Sequence, residues 1–181
     1  MLYKEVFFMQ KNTQGTRNYT RTLIFAALLT ALSIIFGKLL KIPIGNSLRI
    51  SFESLPVLIA SFMLGPFWGA GVGICADIIG CLVVGYSINP FITLGCMTVG
   101  VLPYFFNKLF KFNTPVLRIA ASVLLTHIIA SMIIKSLGLY IWYQTPMSVL
   151  ALRVPIYIVT AIVEALIITG LDKSGVMKKV I

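Results

Sequence analysis

Residues 65–84 read GPFWGAGVGICADIIGCLVV and hold a single charged side chain, Asp77. A run of about 20 predominantly apolar residues is typical of a membrane-spanning helix. Gly69 and Gly73 are four residues apart and Gly80 continues near their face, so we predict close packing against a neighbouring helix. The letters GVGICA also fit the G-x-G-x-x-A pattern of dinucleotide sites. No strand pattern precedes them, so a dinucleotide fold is not predicted.

The whole chain shares this apolar character. Of its 181 residues, 59% are hydrophobic and 11% are charged, whereas a soluble domain has about 25% charged residues. Basic residues precede the first apolar run without a small-residue cleavage site after it, so we expect a retained helix rather than a signal peptide. We predict an all-α integral membrane protein, with a single transmembrane domain over residues 1–181 and a cytoplasmic segment at residues 1–20. Its six transmembrane helices are expected at residues 22–40, 50–64, 66–84, 90–106, 116–137 and 149–171.

The basic residues predict the orientation of these helices. The chain has 15 Lys and Arg against 5 Asp and Glu. The basic residues lie between apolar runs rather than in one patch, which indicates a membrane protein rather than a protein that binds nucleic acid. Both termini then share the side with most of the positive charge, which is predicted to be cytoplasmic and holds Lys4, Lys11, Arg17, Arg21, Lys108, Lys111, Arg118, Lys173, Lys178 and Lys179. The remaining cations are either ordinary exceptions to this rule or an outward funnel for an anionic solute, namely Lys38, Lys41, Arg49, Lys135 and Arg153.

Arg49 and Glu53 are one helical turn apart in the stretch LRISFESLP, residues 48–56. They can pair locally, although the order Arg before Glu is the weaker one. Pro56 cannot donate a hydrogen bond to the carbonyl of Phe52, which loosens that turn. Because irregular backbone at membrane depth is tolerated where it lines a cavity, the favoured interpretation is a charged lip of a binding site.

Polar residues form a stripe on each of the last two predicted helices. Members of a stripe recur at helical spacing, as in His127, Ser131 and Lys135 on the fifth helix. The sixth helix carries Arg153, Tyr157, Thr160 and Glu164. The two stripes either form hydrogen bonds between helices or face each other across a ligand cavity. Ligand binding is the favoured interpretation for Arg153, which is the first residue of its stripe and lies near an aromatic loop.

Aromatic side chains cluster on the predicted outer side. They form either an interfacial belt or a surface that stacks on a flat heterocycle, and comprise Tyr86, Phe91, Tyr140, Trp142 and Tyr143.

The sequence holds no phosphate-binding loop, no nucleophile–base pattern and no cluster with metal-ligand spacing. Cys75, Cys81 and Cys96 lie within apolar runs and predict no disulfide framework. We therefore expect a binding protein without catalytic residues, metal or cofactor. The alternatives from other classes are a small membrane enzyme that uses Asp77, His127 or Glu164, and a scaffold without a ligand.

Three stretches together resemble the membrane S components of energy-coupling factor (ECF) transporters, and most of all their folate-specific branch. They are LRISFESLPVLIASFMLGPFWGAGVGICADIIG, NPFITLGCMTVGVLPYFF and LALRVPIYIVTAIVEALI, which begin at residues 48, 89 and 150. The resemblance extends from about Arg21 to the end of the chain. It implies a six-helix bundle in the cell membrane that captures folate from outside, with its pocket near the outer face. Another vitamin or flat anionic heterocycle is the alternative substrate.

The resemblance also implies partners and site residues. The expected partners, besides lipid, are a transmembrane coupling subunit and two ATPase subunits. Ala27 and Ala31 match the A-x-x-x-A surface by which S components dock on the coupling subunit. The expected substrate-binding residues are Arg49, Glu53, Tyr86, Asn89, Phe91, Trp142, Tyr143, Arg153 and Tyr157.

Overall fold

The computed structural model describes residues 19–40, 42–44 and 48–175, which form a bundle of helices. Five helices in this part of the chain are long and apolar enough to cross a membrane. They are α1 (Tyr19–Leu39), α3 (Pro66–Val84), α4 (Pro90–Leu109), α5 (Pro115–Tyr143) and α6 (Met147–Lys173). The helix α2 (Ser54–Leu64) is apolar but has only 11 residues. The predicted helical membrane fold is confirmed, while six crossings and the orientation stay predictions.

A small hairpin joins α1 to α2, which an all-α prediction does not include. Its antiparallel strands are β1 (Ile42–Ile44) and β2 (Leu48–Ile50), with Pro43 opposite Arg49. The second helix was expected to begin at residue 50, but the chain is extended there and α2 begins four residues later. Arg49 therefore lies in a strand and Glu53 immediately before a helix, so the two are not one turn apart on a common helix.

Proline and glycine fix the ends of the central helices. Proline is the first residue of α3, α4 and α5, where its missing N–H would have no helical partner. Gly65 and Gly85 flank α3 with φ of 92° and 75°, a backbone region that favours glycine. These are the turn signals from which the 66–84 boundaries were predicted, and α3 has those boundaries.

The glycine face of α3 packs closely on α4, as predicted. A Cβ atom on Gly69 would collide with the backbone carbonyl of Gly100, and one on Gly73 with the carbonyl of Cys96. Such contact requires residues without side chains. Gly80 continues the face towards α1, where it contacts the aliphatic part of Lys38.

Two segments of π-helix interrupt the helices near the polar residues. Residues Ile35–Leu39 form the last turn of α1, and His127–Ile134 form the middle of α5. A π-helical turn changes the direction of the side chains that follow it, and such turns often mark functional sites. The first segment contains the buried Lys38, and the second contains His127 and Ser131 and ends just before Lys135.

Candidate functional site

A cavity of about 700 Å³, counting its open mouth, lies where α1 and α5 end and α4 and α6 begin. All six helices contribute to its wall. Its lining consists of Lys38, Ser51, Glu53, Ser54, Asp77, Ile92, His127, Lys135, Leu139, Arg153, Ile156, Tyr157 and Thr160.

One part of the wall is acidic. Glu53, Asp77 and the neighbouring Cys96 bring a carboxylate oxygen or sulfur within 4.8 Å of one another. The thiol of Cys96 donates to Glu53 Oε1 at 3.7 Å, and the hydroxyl of Thr93 donates to Asp77 Oδ2 at 2.6 Å. Ser33 of α1 donates to the backbone carbonyl of Glu53 at 2.7 Å, which holds that residue in place. This grouping joins three elements, so its residue spacing gives no signal in the sequence.

Positive charge borders this acidic part. Lys135 lies close enough to Glu53, Cys96 and Tyr157 to interact electrostatically with each. Lys38 is buried and lies close to Cys81, one turn after Asp77. A carboxylate in a membrane interior is expected to have such a partner, because an unpaired buried charge is costly. The two lysines thus account for the acidic group without a metal ion, and the expected absence of a metal stays a prediction.

The wall formed by α5 and α6 is built from the two polar stripes. His127 Nε2 lies 2.6 Å from Glu164 Oε2, and Nδ1 of the same ring lies 3.2 Å from Ser131 Oγ. The His127 ring stacks on Tyr157 with a centroid separation of 6.3 Å. Arg153 donates to the hydroxyl of Tyr157 and lies 5.3 Å from its ring centroid. Both alternatives for the stripes therefore have a counterpart in the structure. Most of their members line the cavity, whereas His127 and Glu164 form a hydrogen bond between the helices.

A second cavity of about 930 Å³, counting its open mouth, adjoins the first. The two share Lys38, Asp77, Ile92 and Leu139 in their walls. The second wall adds Cys81, Gly85, Tyr86, Ser87, Asn89, Tyr143 and Thr145.

The structure thereby brings together three residues singled out in the sequence, Tyr86, Asn89 and Tyr143. Tyr143 and Ser87 are joined by a 2.9 Å hydrogen bond between their hydroxyls. Asn89 is buried and caps α4, because its Oδ1 accepts from the N–H of Phe91 at 2.9 Å. Its Nδ2 donates to the carbonyl of Gly138 at 3.1 Å. The Asn89 amide is thus already used to connect α4 to α5.

Other expected site residues lie elsewhere. In the described part of the chain, neither Phe91 nor Trp142 lines either cavity: Phe91 packs on Gly138, and Trp142 is 51% exposed. Arg49 is in β2, but its side chain lies outside the description, as does all of Lys41. Ala27 and Ala31 lie on the exposed face of α1, apart from the cavities.

Several lining residues had not been included in the expected site. The sequence did hold a signal for Lys38 and Lys135 as site residues, since both are cations on the predicted outer side. Asp77 had one too, as the sole charge in α3. The apolar members Ile92, Leu139 and Ile156 had none, because nothing distinguishes them from residues that face lipid or core.

Comparison with known proteins places these features in a family. Residues 21–171 match the family described as "ECF transporter, substrate-specific component". The structure is similar to that of FolT bound with folic acid, with a TM-score of 0.69 and 21% identity over 87% of this chain and 97% of that one. ThiT from Listeria monocytogenes gives a TM-score of 0.68 and 13% identity over 88% and 96%. The S component for biotin from an ECF-type ABC transporter gives a TM-score of 0.64 and 20% identity over 87% of this chain and 93% of that one.

One curated relative shares a shorter region. It is an uncharacterized protein of Mycoplasma pneumoniae, the MG313 homolog, which is 39% identical over 72 residues. The match covers 40% of this chain and 25% of the length of that relative.

Proposed function

This chain belongs to the family of substrate-specific components of ECF transporters, and we propose that its substrate is folate. Members of this family bind a substrate for transport and are not enzymes. The apolar helices and the family together make the chain a multi-pass membrane protein, and its proposed location is the cell membrane. Its proposed role is to capture folate outside the cell and to deliver it inwards with a coupling subunit and two ATPase subunits.

The observation that carries the proposal is the mixed charge of the cavity wall. The wall holds the carboxylates Glu53 and Asp77 together with the guanidinium of Arg153 on α6. Folate has a matching polarity, because its pterin ring presents N–H donors and its glutamate end presents two carboxylates. A carboxylate accepts hydrogen bonds from a ring edge, and Arg binds a carboxylate through two parallel hydrogen bonds.

Arg153 has the character of a ligand-binding cation. Among the described residues no carboxylate lies within ion-pairing distance of Arg153, and its guanidinium donates to the neutral hydroxyl of Tyr157. An arginine at membrane depth without an anionic partner favours the binding of an anion, because the charge then no longer stands alone. Lys38 and Lys135 add to this preference, although both also compensate the acidic group.

The shape of the site also supports a long substrate. The two adjoining cavities share four wall residues, so a long substrate could extend from one into the other. Tyr86 and Tyr143 border the second cavity, where their rings offer surfaces for stacking on an aromatic group. A flat ring joined to an extended acidic tail fits this arrangement better than a compact acid does.

The exposed Ala27 and Ala31 support the proposed partner. Both lie on the outward face of α1, so they are accessible to another helix. Small residues at this spacing permit two helix backbones to approach closely. We propose that this face docks on the coupling subunit.

Competition for the bound ligand tests the substrate. The purified chain is loaded with labelled folate, and unlabelled folate, p-aminobenzoylglutamate and biotin are compared as competitors. We expect folate to compete best and the acidic fragment to compete weakly. Displacement by biotin at lower concentration than by folate would assign the chain to a different vitamin.

A matched pair of variants tests the role of Arg153. Arg153→Met is expected to weaken folate binding about 10- to 100-fold, because hydrogen bonds to charged groups contribute about 1.5–3 kcal/mol. Lys173→Met removes a charge from the exposed end of the same helix and is expected to leave binding unchanged. Equal affinity in both variants would remove Arg153 from the site.

A further inference from the structure

His127 and Glu164 form a buried pair that substrate recognition alone does not explain. The side chains are 1% and 0% exposed, in the contact between α5 and α6. The 2.6 Å separation of Nε2 and Oε2 is that of a short hydrogen bond to a charged group. Among the described residues, the other carboxylate oxygen, Oε1, accepts no hydrogen bond. The carboxylate therefore depends on His127 as its partner.

The number of protons on the pair decides its charge. A nitrogen and an oxygen that both lack a proton repel at 2.6 Å, so the contact requires a proton between them. A neutral imidazole already supplies that proton from its Nε2–H and leaves the pair with one negative charge. A second ring proton, on Nδ1, makes the ring an imidazolium and the pair neutral. Loss of the second proton therefore leaves one net negative charge on the buried pair, which is unfavourable.

Charged and titratable groups face the pair from several helices, and histidine is the residue type among them that ordinarily changes its charge near neutral pH. Lysine and arginine stay protonated in this range, while histidine ordinarily titrates between pH 5 and 8. The two carboxylates across the cavity have Lys38 and Lys135 as neighbours. The charged or titratable groups around the pair are Arg153 and Tyr157 from α6, Lys135 from α5, Lys38 from α1, Glu53 before α2, Asp77 from α3 and Cys96 from α4.

We propose that the His127–Glu164 pair is a proton-binding site linked to the substrate site, so that a proton on His127 and an anionic substrate bind cooperatively. This inference rests on the proposed function, because it takes folate as the anion. His127 itself lines the cavity, so an imidazolium there stabilises a substrate carboxylate and loss of its proton destabilises it. Linkage is reciprocal, and the bound substrate therefore holds the proton on the pair.

The proposal fixes the sign and the limit of a pH effect. As the pH rises through the titration of the pair, the proton is lost and folate binds more weakly. Because at most one proton is taken up per folate, the dissociation constant increases by no more than about tenfold for each pH unit. Below this range the pair is already protonated and the affinity becomes independent of pH.

The protonation state of His127 can be observed directly, since it is the one histidine in the chain. The protein is labelled with ¹⁵N-histidine, and its nitrogen spectrum is recorded with and without folate from about pH 6 to 9. Neutral imidazole gives two widely separated nitrogen lines, whereas imidazolium gives two neighbouring ones. We expect folate to move the transition to higher pH and Glu164→Gln to abolish that movement.

Two further variants complete the test. Ser122→Ala removes a buried hydroxyl on α5 that donates to the carbonyl of Arg118, and it is expected to respond to folate as the unsubstituted chain does. For His127→Gln, calorimetry in buffers of different ionisation enthalpy counts the protons taken up on binding. The unsubstituted chain is expected to take up a fraction of a proton, rising to at most one, and the variant none.

The outcomes separate this inference from the proposed function. Heat of folate binding without any change in the His127 spectrum overturns the inference and leaves the proposed function intact. Absence of binding heat overturns the proposed function, and the linkage to folate with it. A movement of the transition that persists in Glu164→Gln also overturns the inference, since the proton would then not depend on the pair.

Discussion

Substitution of Gly69 by alanine tests the contact between α3 and α4. The new Cβ would collide with the backbone carbonyl of Gly100 and come within 2.9 Å of the Cα of Ser61. These are backbone atoms, so relief requires the helices to separate. Gly71 is the matched control, because a Cβ there meets no described atom of another segment within 4 Å. Both variants replace glycine by alanine in α3, and they differ only in the face of the helix on which the new methyl group lies.

The difference between the two variants isolates the cost of packing. Gly71→Ala is expected to stabilise the chain by about 0.5–1 kcal/mol, since alanine loses less conformational entropy in a helix. Gly69→Ala gains the same entropic stabilisation, but it forces a methyl group into a packed contact between helices, which typically costs about 1–3 kcal/mol. Thermal denaturation in detergent should therefore place Gly69→Ala about 2–12 °C below Gly71→Ala. Equal transition temperatures would refute the close approach of α3 and α4.

Three further predictions concern the site and its partners. Lys135→Met is expected to weaken folate binding at least about tenfold, because it removes the cation beside Glu53 and leaves the cavity more acidic. Titration calorimetry measures the affinity, with Lys173→Met as the control. Asn89→Ala should destabilise the chain by about 1–2 kcal/mol, since it removes the cap of α4 and the hydrogen bond to Gly138. Thermal denaturation measures this, and Ser87→Ala, which removes only a hydroxyl, should lower the stability less. Ala27→Trp should leave folate binding to the isolated chain unchanged but reduce ATP-dependent uptake in vesicles with the coupling subunit and ATPases. Uptake that matches that of Leu117→Trp, on the exposed face of α5, would argue against the α1 docking face.

The features predicted from the sequence are those with a local cause. Helix α3 was predicted with its boundaries because proline and two glycines border a long apolar run. Its packing face followed from the spacing of Gly69 and Gly73. The stripes of α5 and α6 were found because side chains at helical spacing share a face, whatever they contact.

The features that were missed depend on tertiary structure. The hairpin between α1 and α2 has strands of three residues, too short to show an alternating pattern. The π-helical segments have no sequence signature, yet they contain Lys38 and His127, which line the cavity. Glu53, Asp77 and Cys96 come from different elements, and their proximity follows from the packing of α2, α3 and α4.

The same reason explains which of the expected site residues line the cavity. Arg153 and Tyr157 belong to a helical stripe whose direction the sequence determines, and both line the cavity. Phe91 and Trp142 were chosen for their position near a loop, which does not determine the direction of a ring. In the described residues one packs between helices and the other faces outwards.

Calorimetric titration of the purified, detergent-solubilised chain with folate tests the central claim most directly. Neither ATP nor partner subunits are added, because a substrate-specific component is expected to bind its substrate alone. We predict saturable, tight binding with one folate per chain, weakened in Arg153→Met and retained in Lys173→Met. A folded chain that releases no heat with folate, or that binds it equally well without Arg153, would contradict the account.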